Sequence, residues 1–226
     1  MNHGRSLLKL RIIDLSRNLD TNTPPFPGDS AVEINVTQSK KEQNSEGEAY
    51  LNASTIHFSL HTGTHMDAPF HFFNQKPTID KIPLESCVGP AICINVANRQ
   101  QQAEINAEDL FPYQALIEQQ RRVLIETGWG QQWTTPKYFI DFPVLTEGAA
   151  ELLLSCEIKL IGIDTPSVDK PPHLTHQILL GHQILIVENL AYLDQLPDTS
   201  FQLIALPLKI TGRDGSPVRA IAKVEE

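Results

Sequence analysis

Residues 61–71 read HTGTHMDAPFH, and they place three of the chain's eight histidines beside an aspartate. Neutral imidazole nitrogens and a carboxylate oxygen form the ligand set expected for zinc or a similar divalent ion. Gly63 lets the backbone turn sharply after His61, which can bring His65 and Asp67 back beside it. Pro69 stiffens the exit before His71. A single histidine is more often structural, but three with an aspartate around a glycine turn point to a metal. The approach, Thr55-Ile56-His57-Phe58-Ser59-Leu60-His61, alternates apolar and polar residues like a strand. His61 then emerges on the polar face at the strand end. His57 shares that face two pleats back, which suits a supporting or core role.

The cluster needs partners from elsewhere in the chain. A catalytic zinc keeps a position open for water, and its remaining ligands come from the fold. Glu188 ends the apolar run ILIVE, where an unpaired carboxylate is costly to bury. It is either a ligand or a strand end reaching the surface. His173 and His176 are three apart and share a helix face, and spacing does not rank them. His182 is placed to cap the same helix. Asp164 and Asp169 in DTPSVD follow a strand, where turn formation is at least as good a reading as function. The chain has no phosphate-binding GxGxxG or P-loop, and no GxSxG nucleophile elbow.

The elements that must position these residues are mostly strands. Leu10–Leu15, Tyr50–His61, Ala91–Val96, Val123–Glu126, Lys159–Ile163, Gln183–Glu188, Phe201–Leu206 and Val218–Val224 read as strands. Val32, Ile34 and Val36 alternate with polar residues, as in a half-buried strand, and KKEQNSEGE reads as a hairpin tip. Asn106 can cap a helix running to Ile117, Thr146 one running to Leu154, and His173–Leu180 reads as a third. Strands interleaved with helices predict one α/β domain over residues 1–226, with a mixed, strongly curved sheet or barrel and flanking helices.

The 226 residues suffice for an ordinary core without disulfides. Acidic residues outnumber basic ones 27 to 18, for a formal charge of -9, which argues against nucleic-acid or anionic-membrane partners. Cys87, Cys93 and Cys156 form no metal-binding pattern and read as reduced thiols, so a cytoplasmic setting is expected. The opening residues carry Lys9 and Arg11 within their apolar stretch and do not read as a signal peptide. No apolar run approaches the roughly 18 residues of a membrane span.

HTGTHMDAPFH resembles, in every fixed position, the HxGTHxDxPxH signature of the cyclase-like metal-dependent hydrolases, a family that includes bacterial kynurenine formamidase (arylformamidase). The loop PPFPGD, TGW at 127–129, GIDTPSVD at 162–169, ENL at 188–190 and PLKITGRDGSPVRA at 207–220 resemble further family blocks in the family's order. The resemblance implies a two-metal site, usually zinc and in some relatives manganese. His61, His65 and Asp67 match the first ligands, Asp67 and Glu188 the bridging carboxylates, and His176 the remaining ligand. His71 matches the proton donor and acceptor. A barrel-like fold and a homo-oligomer, dimer or tetramer, are implied as well.

The expected reaction is hydrolysis of a small-molecule amide, N-formylkynurenine above all, by metal-activated water. Opening of isatin or another cyclic amide or lactone is the alternative. A non-catalytic metal- or ligand-binding homologue is the third reading. Formamidases of this family stack a tryptophan on the substrate, and the matching position here is Phe26. The stretch from 31 to 56 is also longer than in compact formamidases.

Overall fold

The computed structural model describes residues 10–44, 47–97 and 104–225. Most of the N-terminal stretch and the centre of the expected hairpin tip, Ser45 and Glu46, lie outside the described residues. The strands, in chain order, are β1 Leu10–Asp14, β2 Glu33–Asn44, β3 Gly47–His57, β4 His65–Asp67, β5 Val88–Asn95, β6 Glu104–Ile105 and β7 Arg122–Glu126. They continue with β8 Val144–Leu145, β9 Leu160–Ile163, β10 Leu185–Glu188, β11 Phe201–Ile204, β12 Gly215–Pro217 and β13 Ile221–Glu225. The α-helices are α1 Leu84–Cys87, α2 Ala107–Leu110, α3 Gln114–Gln120, α4 Glu147–Ser155 and α5 Leu174–Gly181.

Nine strands form one mixed, strongly curled sheet in the order β1-β13-β11-β5-β7-β9-β10-β4-β12. Its centre, β5-β7-β9-β10, is parallel, and the flanking pairs are antiparallel. Strands covered on both faces read as continuous apolar runs, which is why VLI, LIGI and LIVE carry no polar alternation. Their side chains still alternate between two cores. Leu124, Leu160, Leu185 and Val187 face one core with Ile13, Met66 and Leu203. Val123, Ile125, Ile161, Ile163 and Ile186 face the other, against Leu110, Ile117, Leu153 and Leu179 of the helices. The expected curved mixed sheet with flanking helices is the observed one.

Local chemistry explains the helix ends. The Thr146 side chain accepts from the Ala149 N–H at 3.3 Å and starts α4. Asp109 accepts from the Asn106 N–H at 2.8 Å at the start of α2. The single helix expected from Asn106 to Ile117 is broken into α2, a 3-10 turn at Phe111–Tyr113 and α3. Pro112 lies within that turn and has no N–H to donate to the ladder.

The region before the motif departs most from the sequence reading. Among the described residues, β2 and β3 pair only with each other, as a two-stranded arm. Val32 is buried, but Ile34 and Val36 are exposed, Val36 at 71%. The alternation there is genuine, yet among the described residues no core covers it. β3 also ends at His57, so His61 sits in a turn rather than at a strand end.

Candidate metal centre

β4 carries the middle of the motif into the sheet. Alternation sends Met66 into the core and places His65 and Asp67 on the opposite face. In the β4–β10 ladder His65 pairs with Glu188 and Asp67 with Ile186. Asn189 fastens this edge. Its carbonyl accepts from Thr64 Oγ1 at 2.8 Å, and its side-chain amide donates to the Gly63 carbonyl at 3.0 Å. Gly63 itself turns at φ +66°, in the left-handed region that favours glycine.

Asp67 and Glu188 are 1% and 5% exposed, and three imidazoles converge on them. His61 Nδ1 lies 2.8 Å from Asp67 Oδ1. His65 Nε2 lies 3.3 Å from Asp67 Oδ1 and 3.5 Å from Glu188 Oε2. His176, on α5, places Nε2 3.6 Å from Asp67 Oδ2 and 3.4 Å from Glu188 Oε1. Each ring is held from behind. His61 Nε2 is 2.6 Å from Asp214, His65 Nδ1 is 2.9 Å from the Gly63 carbonyl, and His176 Nδ1 is 2.7 Å from Asp169. Metal-ligating histidines characteristically back onto such acceptors.

The donor set fits a divalent ion. His65 Nε2 is buried, has no hydrogen-bond partner, and is directed between two buried carboxylates. His65, Asp67 and Glu188 each bring a ligand atom within 4.8 Å of the others, and so do His61, Asp67 and His71. Electrostatics agree with a cation site. Burial raises the Asp67 carboxyl, but the charge of His61 and the His176 and His61 imidazoles facing it hold it well below the usual range. Burial opposes a charged His61, yet Asp67 and Asp214 outweigh it and push its pKa up to about 10.

His71 ends a 3-10 turn at Pro69–His71 and faces the same cluster. Its ring centre is 4.2 Å from that of His61, and its Nδ1 is 3.7 Å from Asp214 Oδ2. Burial keeps its pKa below the usual histidine value, with Asp67 opposing and His61 and His176 adding to the depression. A pocket opens over these residues, with Phe26, Phe72, His173 and Ser167 in its walls.

The Cyclase family profile matches residues 13–170. The chain belongs to the cyclase family. Among related cyclase-family proteins, the kynurenine formamidase of Bacillus cereus (strain ATCC 14579) is 37% identical over 215 residues, covering 93% of this chain and 96% of the relative. The solved structure of isatin hydrolase A from Labrenzia aggregata, bound to benzyl benzoate, superposes with a TM-score of 0.83 at 29% identity, covering 96% of this chain and 94% of that one. A structure described as a potential metal-dependent hydrolase with cyclase activity superposes at 0.75 with 26% identity, covering 96% of this chain and all of its own, 100%.

Within this cyclase-family site, all six residues expected to bind metal or move protons meet at one pocket, and Phe26 stands at its wall. Phe26 is 41% exposed and meets Phe139 edge-on at 5.7 Å. His57 does not join them; it is exposed at the end of the arm, because the chain turns away between His57 and His61. His182 caps α5 as expected, with Nδ1 2.8 Å from the Ile178 carbonyl. Asp164 does not serve a local turn; buried, it ties two loops together by accepting from the Thr127 N–H and hydroxyl at 3.0 and 2.6 Å, 37 residues away. Asp169 is more than a turn residue, since it accepts from both His173 and His176. Asp214 went unassigned in the sequence. Its only signal was its place inside TGRDGSPVRA, with no spacing that tied it to His61.

Proposed function

We propose that this chain hydrolyses N-formylkynurenine to kynurenine and formate. The chain is an amide hydrolase of the metal-dependent kind, and the substrate is the finer inference. One observation carries the site chemistry: His65 Nε2, buried and without a partner, is directed at Asp67 and Glu188 beside a pocket that His71 lines. Metal bound there supplies Lewis-acid polarisation of a carbonyl and a nucleophile near neutral pH. His61 and His65 would hold one ion and His176 a second, with Asp67 and Glu188 between them. Two zinc ions per subunit are the proposal, with manganese the alternative metal. His71 passes a proton to the departing amine nitrogen, from its place in the pocket wall beside His61. Phe26 and Phe72 offer aromatic walls for an aryl substrate.

The likeness to the formamidase of Bacillus cereus supports this substrate. The likeness to isatin hydrolase A, together with phenylalanine at position 26, favours isatin as the second reading. Parallel assays separate them: formate release from N-formylkynurenine and ring opening of isatin, compared by kcat/KM. The proposal fails if isatin, or neither compound, is turned over in preference.

A homo-oligomer is part of the same reading. The β2–β3 arm leaves Ile34, Val36, Tyr50, Leu51 and Ile56 exposed on a sheet with no third strand, a surface suited to another copy of the chain. A cytoplasmic setting is supported by three free cysteines. Among the described residues no helix is long and apolar enough to cross a membrane.

A further inference from the structure

We infer that Asp214 is the positioning residue that fixes the metal-ligand geometry of His61 and couples it to His71; this rests on the metal-site reading above. A neutral imidazole carries one N–H, so the nitrogen that meets a metal must be the bare one. His61 places Nδ1 toward Asp67, at 2.8 Å, and Nε2 toward Asp214, at 2.6 Å. Coordination through Nδ1 therefore requires that Nε2–H donate to Asp214. That hydrogen bond selects the tautomer and the ring plane together.

Three acceptors stand behind the three ligand imidazoles, and Asp214 differs from the other two. The Gly63 carbonyl is backbone, and the Asp169 side chain is only 8% exposed. The Asp214 side chain is 36% exposed, and the oxygen that meets His61 also lies 3.7 Å from His71 Nδ1. One carboxylate oxygen thus faces a metal ligand and the proton-transfer histidine.

The backbone around Asp214 is pinned, as a positioning residue requires. The Asp214 carbonyl accepts from the Ala68 N–H at 2.8 Å, and the Arg213 carbonyl from the Ile79 N–H at 2.8 Å. Asp80 Oδ1 accepts from the Gly212 N–H at 2.9 Å. All three bonds join the loop to the segment that carries His71. Gly215 lies against the same Nε2–Cε1 edge of the His61 ring, where an added Cβ would lie 2.9 Å from Cε1.

The test reads metal binding rather than turnover. Metal-free wild type, Asp214→Ala and Asp214→Asn are titrated with zinc against a chromophoric chelator. Asp214→Ala is expected to bind about 10- to 100-fold more weakly. Asp214→Asn keeps an acceptor oxygen and is expected to recover part of the loss. Unchanged affinity in Asp214→Ala, or no recovery in Asp214→Asn, overturns the inference. Long-range 15N–1H NMR of zinc-loaded wild type gives a second readout that needs no variant to fold. Nε2–H with Nδ1 bound is expected at His61, and the reverse assignment overturns the role. Wild type that binds no zinc or manganese would instead sink the metal reading itself, and this inference with it.

Discussion

Glu188 and His65 stand directly opposite each other in the β10–β4 ladder, and their side chains meet with Oε2 and Nε2 3.5 Å apart. This pairing joins two parts of the chain that are remote in sequence. A slip of one residue would turn His65 into the core and Met66 into the site. The site is therefore as precise as the strand register, which Asn189 and Thr64 secure at the edge.

His71→Ala tests the division of labour in the motif. His71 lines the pocket, and its pKa is lowered rather than raised. Removing it should cost about 10²–10⁴ in kcat, the usual range for a general acid or base. Zinc stoichiometry should stay at the wild-type value. Steady-state kinetics with elemental analysis decide this, and full activity in the variant would end the assignment.

Phe26→Ala should act mainly on substrate binding. The ring lies in the pocket wall and packs edge-on against Phe139. An aromatic contact worth about 0.5–1.5 kcal/mol corresponds to roughly a two- to twelvefold rise in KM for an aryl substrate. A fall in kcat at constant KM would show instead that Phe26 helps shape the transition state.

The legible parts of this protein are those in which chemistry lies close together in sequence. HTGTHMDAPFH holds His61, His65 and Asp67 within one turn and one short strand, so spacing alone marked them as candidate ligands. The buried parallel strands were legible as continuous apolar runs. Glu188 stayed ambiguous because only β-pairing shows that it is buried opposite His65 rather than at the surface. Asp214 was invisible, since its partner His61 lies 153 residues away. The arm misled the reading because alternation in Val32, Ile34 and Val36 reports a face to be covered, and not what covers it.

Gly162→Ala tests the packing beneath the site. Gly162 lies in β9, where an added Cβ would sit 2.5 Å from Leu124 Cδ2 and 2.6 Å from Leu190 Cδ1. Overpacking of this kind costs about 1–3 kcal/mol. At roughly 2–4 °C per kcal/mol for a domain of this size, Tm should fall by several degrees. A Tm equal to wild type would show that this core yields to a methyl group.

Asp80 gives the acid side of the stability curve. Hydrogen bonds from Thr78 and from the Gly212 N–H hold its carboxyl down to about 2, against an ordinary value of 3.8. A folded-state pKa below the unfolded one stabilises fully above about pH 4, and that contribution disappears as pH falls through about 2. Thermal melts between pH 2 and 5 should show Asp80→Asn losing less stability on acidification than wild type over that window. Parallel acid limbs would mean that Asp80 carries none of it.

The most direct measurement is hydrolysis of N-formylkynurenine by protein stripped of metal and then reloaded. The His65, Asp67 and Glu188 cluster predicts no formate release after chelation, and recovery on adding back zinc or manganese in proportion to the metal bound. Full activity in protein verified to be metal-free would contradict the account.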